Sequence, residues 1–211
     1  MNDAFTLLRR ATDLLNEDVR AQSGVTVDDV RDCQRHHEWE LVLDLLMEIA
    51  DEQPVSSRFW SLLEDAARQM MLEHSADWCG WRASETQHGI FRARLSMLGT
   101  EEGGRRTAFS GQGQLRPLWD IGNRAPDGGQ STNIARVWVE GAPGLAPGES
   151  ATVRLAPLSP EQWRHVRPGD VITMHEGRPV VGTAVIIEVS PPSAPGCEAD
   201  VGVLRGRSRG G

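Results

Sequence analysis

The sequence predicts an α+β protein: an acidic α-helical bundle over residues 1–89, a small antiparallel β-barrel or sandwich over 90–191, and a Pro/Gly/Arg-rich tail over 192–211. Three observations predict it. Charge divides unevenly, with 18 acidic residues and 8 Arg in residues 1–89, a net of −10, against 12 acidic residues and 14 Arg in residues 90–211, a net of +2. Turn-forming residues divide the same way, since the first 89 residues contain only Gly24, Gly80, Gly89 and Pro54. The hydrophobic period also changes near Gly89, from helical spacing to β-rich runs between Gly, Pro and Asp.

The helices follow in order. Asp3 can cap a helix whose apolar positions Phe5, Leu8, Leu15 and Val19 recur near helical spacing, widened by Leu7, Ala11 and Leu14 and ended by Gly24. Thr26 and Asp29 form a capping-box pattern that starts a short helix through Val27, Val30 and Cys33. A third stretch puts Trp39, Val42, Leu43, Leu46, Ile49 and Ala50 on one face, and Pro54 stops it. Ser56 or Ser57 caps a fourth, with Trp60, Leu63, Ala67, Met70 and Met71 directed inward. The tract Trp78–Gly89 is short and carries no clear period.

The second half holds the β-rich runs ARLSML, RVWVE, ATVRLAP, VITMH and PVVGTAVIIEV. Glu101–Gly104 and Pro168–Asp170 have the composition of tight turns. The tail is rich in Pro and Gly, then in Arg and Gly, and is expected to be disordered.

Composition excludes several chemistries. All 22 basic residues are Arg, and Lys and Tyr are absent, so no Schiff-base, Walker-A or kinase lysine and no catalytic tyrosine exists. The net charge of −8 argues against a general nucleic-acid coat protein. The N-terminus lacks a signal-peptide pattern, and no run reaches the ~18–20 apolar residues of a membrane span. Cys33, Cys79 and Cys197 are odd in number and widely spaced, which fits a reducing, cytoplasmic setting. Cys33, His36 and His37 sit at i, i+3 and i+4, with His74 or Cys79 as further donors. The spacing matches no familiar metal motif, and ordinary capping or surface histidines are the expectation. No GxSxG occurs, and Ser110–Gly113 is a loop without a following helix to aim at phosphate. No cofactor, no metal and no enzymatic activity are expected.

ARLSMLGTEEGGRRTAF at 93–109 resembles the opening of the C-terminal β-barrel of bacterial elongation factor Tu. QLRPLW at 114–119 is similar to that family's Arg-Pro strand, and HEGRPVVGTAVIIEV at 175–189 to its closing strand pair. RPGDVITM at 167–174 and GLAPGESATVRL at 144–155 both compete for its Pro-Gly-Asp turn. The likeness covers about residues 91–189 and implies a six-stranded Greek-key barrel, without any part of the GTPase domain. It also implies a candidate contact loop of Arg116, His175, Glu176, Gly177 and Arg178. Arg116, Glu176 and Gly177 match the family. Leu118 stands for Gln, His175 for Arg, Arg178 for Gly and Pro179 for Arg. Because phosphate contacts dominate nucleic-acid affinity, this balance favours contact with protein over contact with tRNA. Residues 29–72 resemble small helical immunity proteins of bacterial polymorphic toxin systems, with a Glu/Trp-led helix, a Pro break and a second Trp-containing helix.

The expected function is therefore binding. An immunity-type or translation-associated accessory protein would meet a basic toxin or a translation component. The acidic face expected for this is Glu40, Asp44, Glu48 and Asp51, spaced along one side of a helix. The alternative is a tRNA- or ribosome-binding factor that uses the barrel loops and the Arg/Gly tail.

Overall fold

A computed structural model describes residues 3–192; the expected disordered tail from residue 193 on, with Cys197, lies outside the described residues. Five helices come first: α1 (Ala4–Thr12), α2 (Val27–Arg35), α3 (Trp39–Glu52), α4 (Ser57–Gln69) and α5 (Glu73–His88). Local chemistry sets their starts. The Asp3 carboxylate accepts from the Thr6 N–H at 2.7 Å, the Thr26–Asp29 capping box closes in both directions, and Ser56 caps α4 through the Phe59 N–H.

Two expectations for this half are corrected. α1 ends at Thr12 and does not run to Val19. There Thr12 Oγ1 bonds back to the Leu8 carbonyl, and Asn16 Oδ1 takes the Asp18 N–H, so side chains compete with the helix for backbone groups. Met71 does not point inward. It follows the end of α4 with φ +60° and is 83% exposed.

The second half is a closed barrel of six strands in the order β1–β6–β4–β3–β7–β8, and every pairing is antiparallel. Its strands are β1 (Ile90–Met97), β3 (Leu118–Arg124), β4 (Gln130–Val139), β6 (Ser150–Pro157), β7 (Val171–His175) and β8 (Val180–Ser190). A short ribbon pairs β2 (Phe109–Ser110) with β5 (Gly144–Leu145). Alternation sends Leu95, Ala135, Val137, Leu155 and Ile186 into the barrel, where Trp119 and Trp163 are buried in the same core. The Trp119 indole N–H donates to the Ala135 carbonyl at 3.3 Å, so this large ring is buried without orphaning its polar atom.

The helices and the barrel have separate apolar cores, and α5 lies between them. Ala76, Cys79 and Ala83 of α5 pack into the bundle. Trp78 and Trp81 lie against Trp138 on the outer face of β4, with ring centroids 5.1 and 5.6 Å away. Both sides of α5 are therefore covered, which explains why its sequence shows no apolar stripe. α5 stops at Gly89, whose φ of +91° suits glycine; a Cβ there would come within 2.5 Å of the Ser190 carbonyl oxygen.

A chain of ion pairs crosses the same junction. Asp51 of α3 holds Arg82 of α5, and Arg82 also reaches Glu85 at 3.3 Å. Glu85, only 4% exposed, accepts from Arg154 of β6 at 2.7 Å and from the Trp81 indole at 2.8 Å. Arg154 continues to Glu140, Glu140 to Arg92, and Arg92 to Glu188, at 2.8–3.0 Å. Glu85 is a buried charge whose acceptor sites are met by three donors, the condition under which such a charge is tolerated.

Candidate functional site

A wide concavity lies at the end of α3 opposite to Asp51. It is an open groove of about 990 Å³ between the start of α1, the α2–α3 turn, the first turns of α3 and the end of α4. Its apolar lining is Phe5, Trp39, Leu41 and Met70. Phe5 was expected in the α1 core stripe, but it is 42% exposed and stacks on Trp39 at 4.5 Å. Leu41 is 44% exposed, and the Arg9 guanidinium covers part of Trp39 from 5.3 Å.

Carboxylates rim this apolar surface: Asp3, Glu38, Glu40 and Asp44. Asp3 is occupied as the α1 cap, and its hydrogen bonds to Thr6 hold its pKa below the ordinary value. Burial, followed by the charge of Glu40 one turn away, raises the pKa of Asp44. Among the described residues, no Arg or His lies within ion-pair distance of Glu40, Asp44 or Glu48. The groove therefore joins exposed aromatic and aliphatic surface to uncompensated negative charge. That pairing can take an apolar anchor flanked by Arg or Lys.

The expected acidic face is divided by the fold. Glu40 and Asp44 line the groove, Glu48 is half-buried outside it, and Asp51 is held by Arg82 at the other end of α3. The expected barrel loop is divided too. His175 is buried at 6% exposure, and its ring nitrogens meet Thr173 Oγ1 at 2.8 Å and the Arg178 carbonyl at 3.2 Å, inside the β7–β8 hairpin. Glu176 pairs with Arg105, which follows the Glu101–Gly104 turn. Gly177 and Arg178 are exposed at the hairpin tip. Arg116 precedes β3 and lies at the α5 junction with Trp81, Gln112, Gln114 and Arg136.

The candidate metal donors are scattered. Cys33 is held protonated by burial and by Glu38, His36 Nδ1 meets the Asp32 carbonyl, and His74 lies against Trp138. Cys79 is buried beside Met47, and burial pushes its thiol up to about 12. Among the described residues, no three His, Cys, Asp or Glu side chains are placed to share an ion. No described helix is long and apolar enough to cross a membrane.

Sequence reasoning missed Phe5, Leu41 and Met70 as groove residues, because the groove needs three helices brought together. It also missed Arg82, Glu85, Arg136 and Arg154. The Trp81–Glu85 spacing of four residues was a signal for that contact. No family model matches the chain, and no curated protein matches it.

Proposed function

We propose that the protein is a non-catalytic binding protein whose helical bundle takes up a basic, apolar-anchored segment of a partner protein. The observation that carries this reading is the groove of about 990 Å³ in which Phe5, Trp39 and Leu41 lie beside Glu40 and Asp44. Exposed aromatics serve as anchor points, and the net −10 of residues 1–89 draws a cationic partner toward them. A basic toxin or a translation component has the required charge, so an immunity-type or translation-associated accessory role follows. In this reading the barrel is a scaffold of the elongation factor Tu Greek-key type. The resemblance of 91–189 supports that relation, and a closed barrel of six antiparallel strands is consistent with it.

The alternative of tRNA or ribosome binding through the barrel loops draws less support. His175 is turned into its own hairpin, Arg105 is spent on Glu176, and the exposed Arg178 at the tip is separated from Arg116, which lies at the α5 junction.

The test is association with an amphipathic peptide of alternating Leu and Arg, followed by stopped flow from about 20 to 300 mM salt. Association should slow several-fold as screening shortens the reach of the groove's field toward ~8 Å. An Ala-for-Leu peptide of the same charge should dissociate faster. Equal behaviour of both peptides, or a rate independent of salt, would remove the groove as the binding element.

A further inference from the structure

Two arginines lie on the paired strands β4 and β6, where Arg136 is opposite Ala156 and Arg154 is opposite Trp138, two residues further along. Their surroundings differ. Arg154 is paired with Glu85 and Glu140. Arg136 is half-buried, its guanidinium lies 4.9 Å from the centre of the Trp81 ring, and among the described residues no carboxylate is within ion-pair distance of it. Its charged neighbours are Arg116 and Asp77. Burial and then Arg116 disfavour its charge, and Asp77 favours it. A guanidinium does not give up its proton, so the protein holds a desolvated positive charge beside a second one.

This pair opens onto a hollow of about 150 Å³ between α5 and the barrel, completed by Trp81, Gln112, Gly113 and Gln114. Gly113 is required there, because a Cβ would come within 3.0 Å of the Trp81 ring. Gln114 accepts from the Ser110 hydroxyl through Oε1 at 3.0 Å, which leaves its NH₂ group to donate. Asp77 also lines the hollow and opposes an anion, but it faces Arg68 of α4 at 3.9 Å. Counting Arg116, Arg136 and Asp77, the hollow is net positive in an otherwise acidic chain. A second hollow of about 430 Å³ shares Gln112 with the first and is lined by His74 and Trp138, whose rings lie 5.8 Å apart.

We propose that this junction cleft binds a small phosphate ester, with the phosphate held by Arg116, Arg136 and the amides of Gln112 and Gln114, and the organic part lodged against His74 and Trp138. Two guanidiniums offer forked donors that match phosphate oxygens, and an anion would cancel the repulsion between them. The same chemistry could come from a free ester or from one residue of a nucleic-acid strand. The free ester fits the small volume of the hollow, about 150 Å³, better than a strand does. The site is separate from the acidic groove and does not depend on it.

The experiment is calorimetry on the full chain at low salt with adenosine 5′-monophosphate, inorganic phosphate, adenosine and a short single-stranded RNA. The monophosphate should bind best and adenosine at least about tenfold more weakly, since charge-assisted bonds carry the contact. Arg136→Gln should weaken binding about tenfold, and Arg116→Gln by somewhat less. Asp77→Asn should tighten binding, a change of opposite sign that a merely damaged fold would not give. Glu40→Gln with Asp44→Asn should leave binding unchanged, which separates this site from the groove. If RNA binds with the same Arg136 and Asp77 dependence while the monophosphate does not, the phosphate site stands and its source is a strand. If none of the phosphate ligands binds at about 10 mM, or if Arg116→Gln and Asp77→Asn both leave affinity unchanged, the proposal is overturned.

Discussion

The two ends of α3 carry the same kind of side chain and put it to different use. At the C-terminal end, Asp51 meets Arg82 and becomes the first member of an ion-pair chain that runs through Glu85, Arg154, Glu140 and Arg92 to Glu188. At the N-terminal end, Glu40 and Asp44 meet no arginine and instead rim an apolar groove. The neighbours decide, not the carboxylates. α5 supplies an arginine beside the last turns of α3, whereas its first turns face Phe5 and Met70. One end is used for cohesion between helices and barrel, and the other is left available.

The comparison would break most visibly at Glu85. Glu85→Ala should destabilise the protein by about 2–4 kcal/mol, because it leaves the buried Trp81 N–H without its acceptor and takes from Arg154 one of its two carboxylate partners. Urea unfolding would measure this; a loss below about 1 kcal/mol would mean that the ladder is incidental.

Acid should separate the two ends next. Burial pushes Glu140 up, but its hydrogen bond from Arg92 and the charges of Arg154 and Arg92 outweigh it and hold its carboxyl below the ordinary 4.5; Glu188 is lowered mainly by its bond from Arg92. These two groups add stability above that value, and the gain is lost as pH falls through it toward their depressed values. Asp44 has the opposite sign, since its raised pKa favours protonation in the folded state. A melting-temperature profile should therefore fall below about pH 4.5, and Glu140→Gln should flatten the fall. Asp44→Asn should not flatten it.

The smallest effect should come from Asp51→Asn. This side chain is half exposed, so the loss should be about 1 kcal/mol or less.

Much of the helical half was legible in the sequence. The Thr26–Asp29 box, the Ser56 cap and the run from Trp39 to Ala50 are local signals, and the structure uses each of them. The barrel strands were legible as β-rich runs between Gly, Pro and Asp, but the side on which Trp138 lies was not: Val137 packs inside the barrel and Trp138 meets Trp81 of α5. α5 was not legible, because a helix buried on two sides shows no stripe. The end of α1 was missed because Thr12 and Asn16 draw backbone hydrogen bonds that an apolar count ignores. The acidic face was half legible. Spacing along α3 found its members, but only the position of Arg82, 31 residues after Asp51, shows which of them are spoken for.

The contrast between the ends of α3 is tested most directly by calorimetric titration of three proteins with the same Leu/Arg peptide: wild type, Glu40→Gln/Asp44→Asn and Asp51→Asn. The groove reading predicts that the double variant binds about tenfold more weakly, while Asp51→Asn binds as wild type does and differs only slightly in stability. Equal weakening in both variants would mean that the acidic helix acts as diffuse charge, and unchanged binding in the double variant would place the partner elsewhere on the molecule.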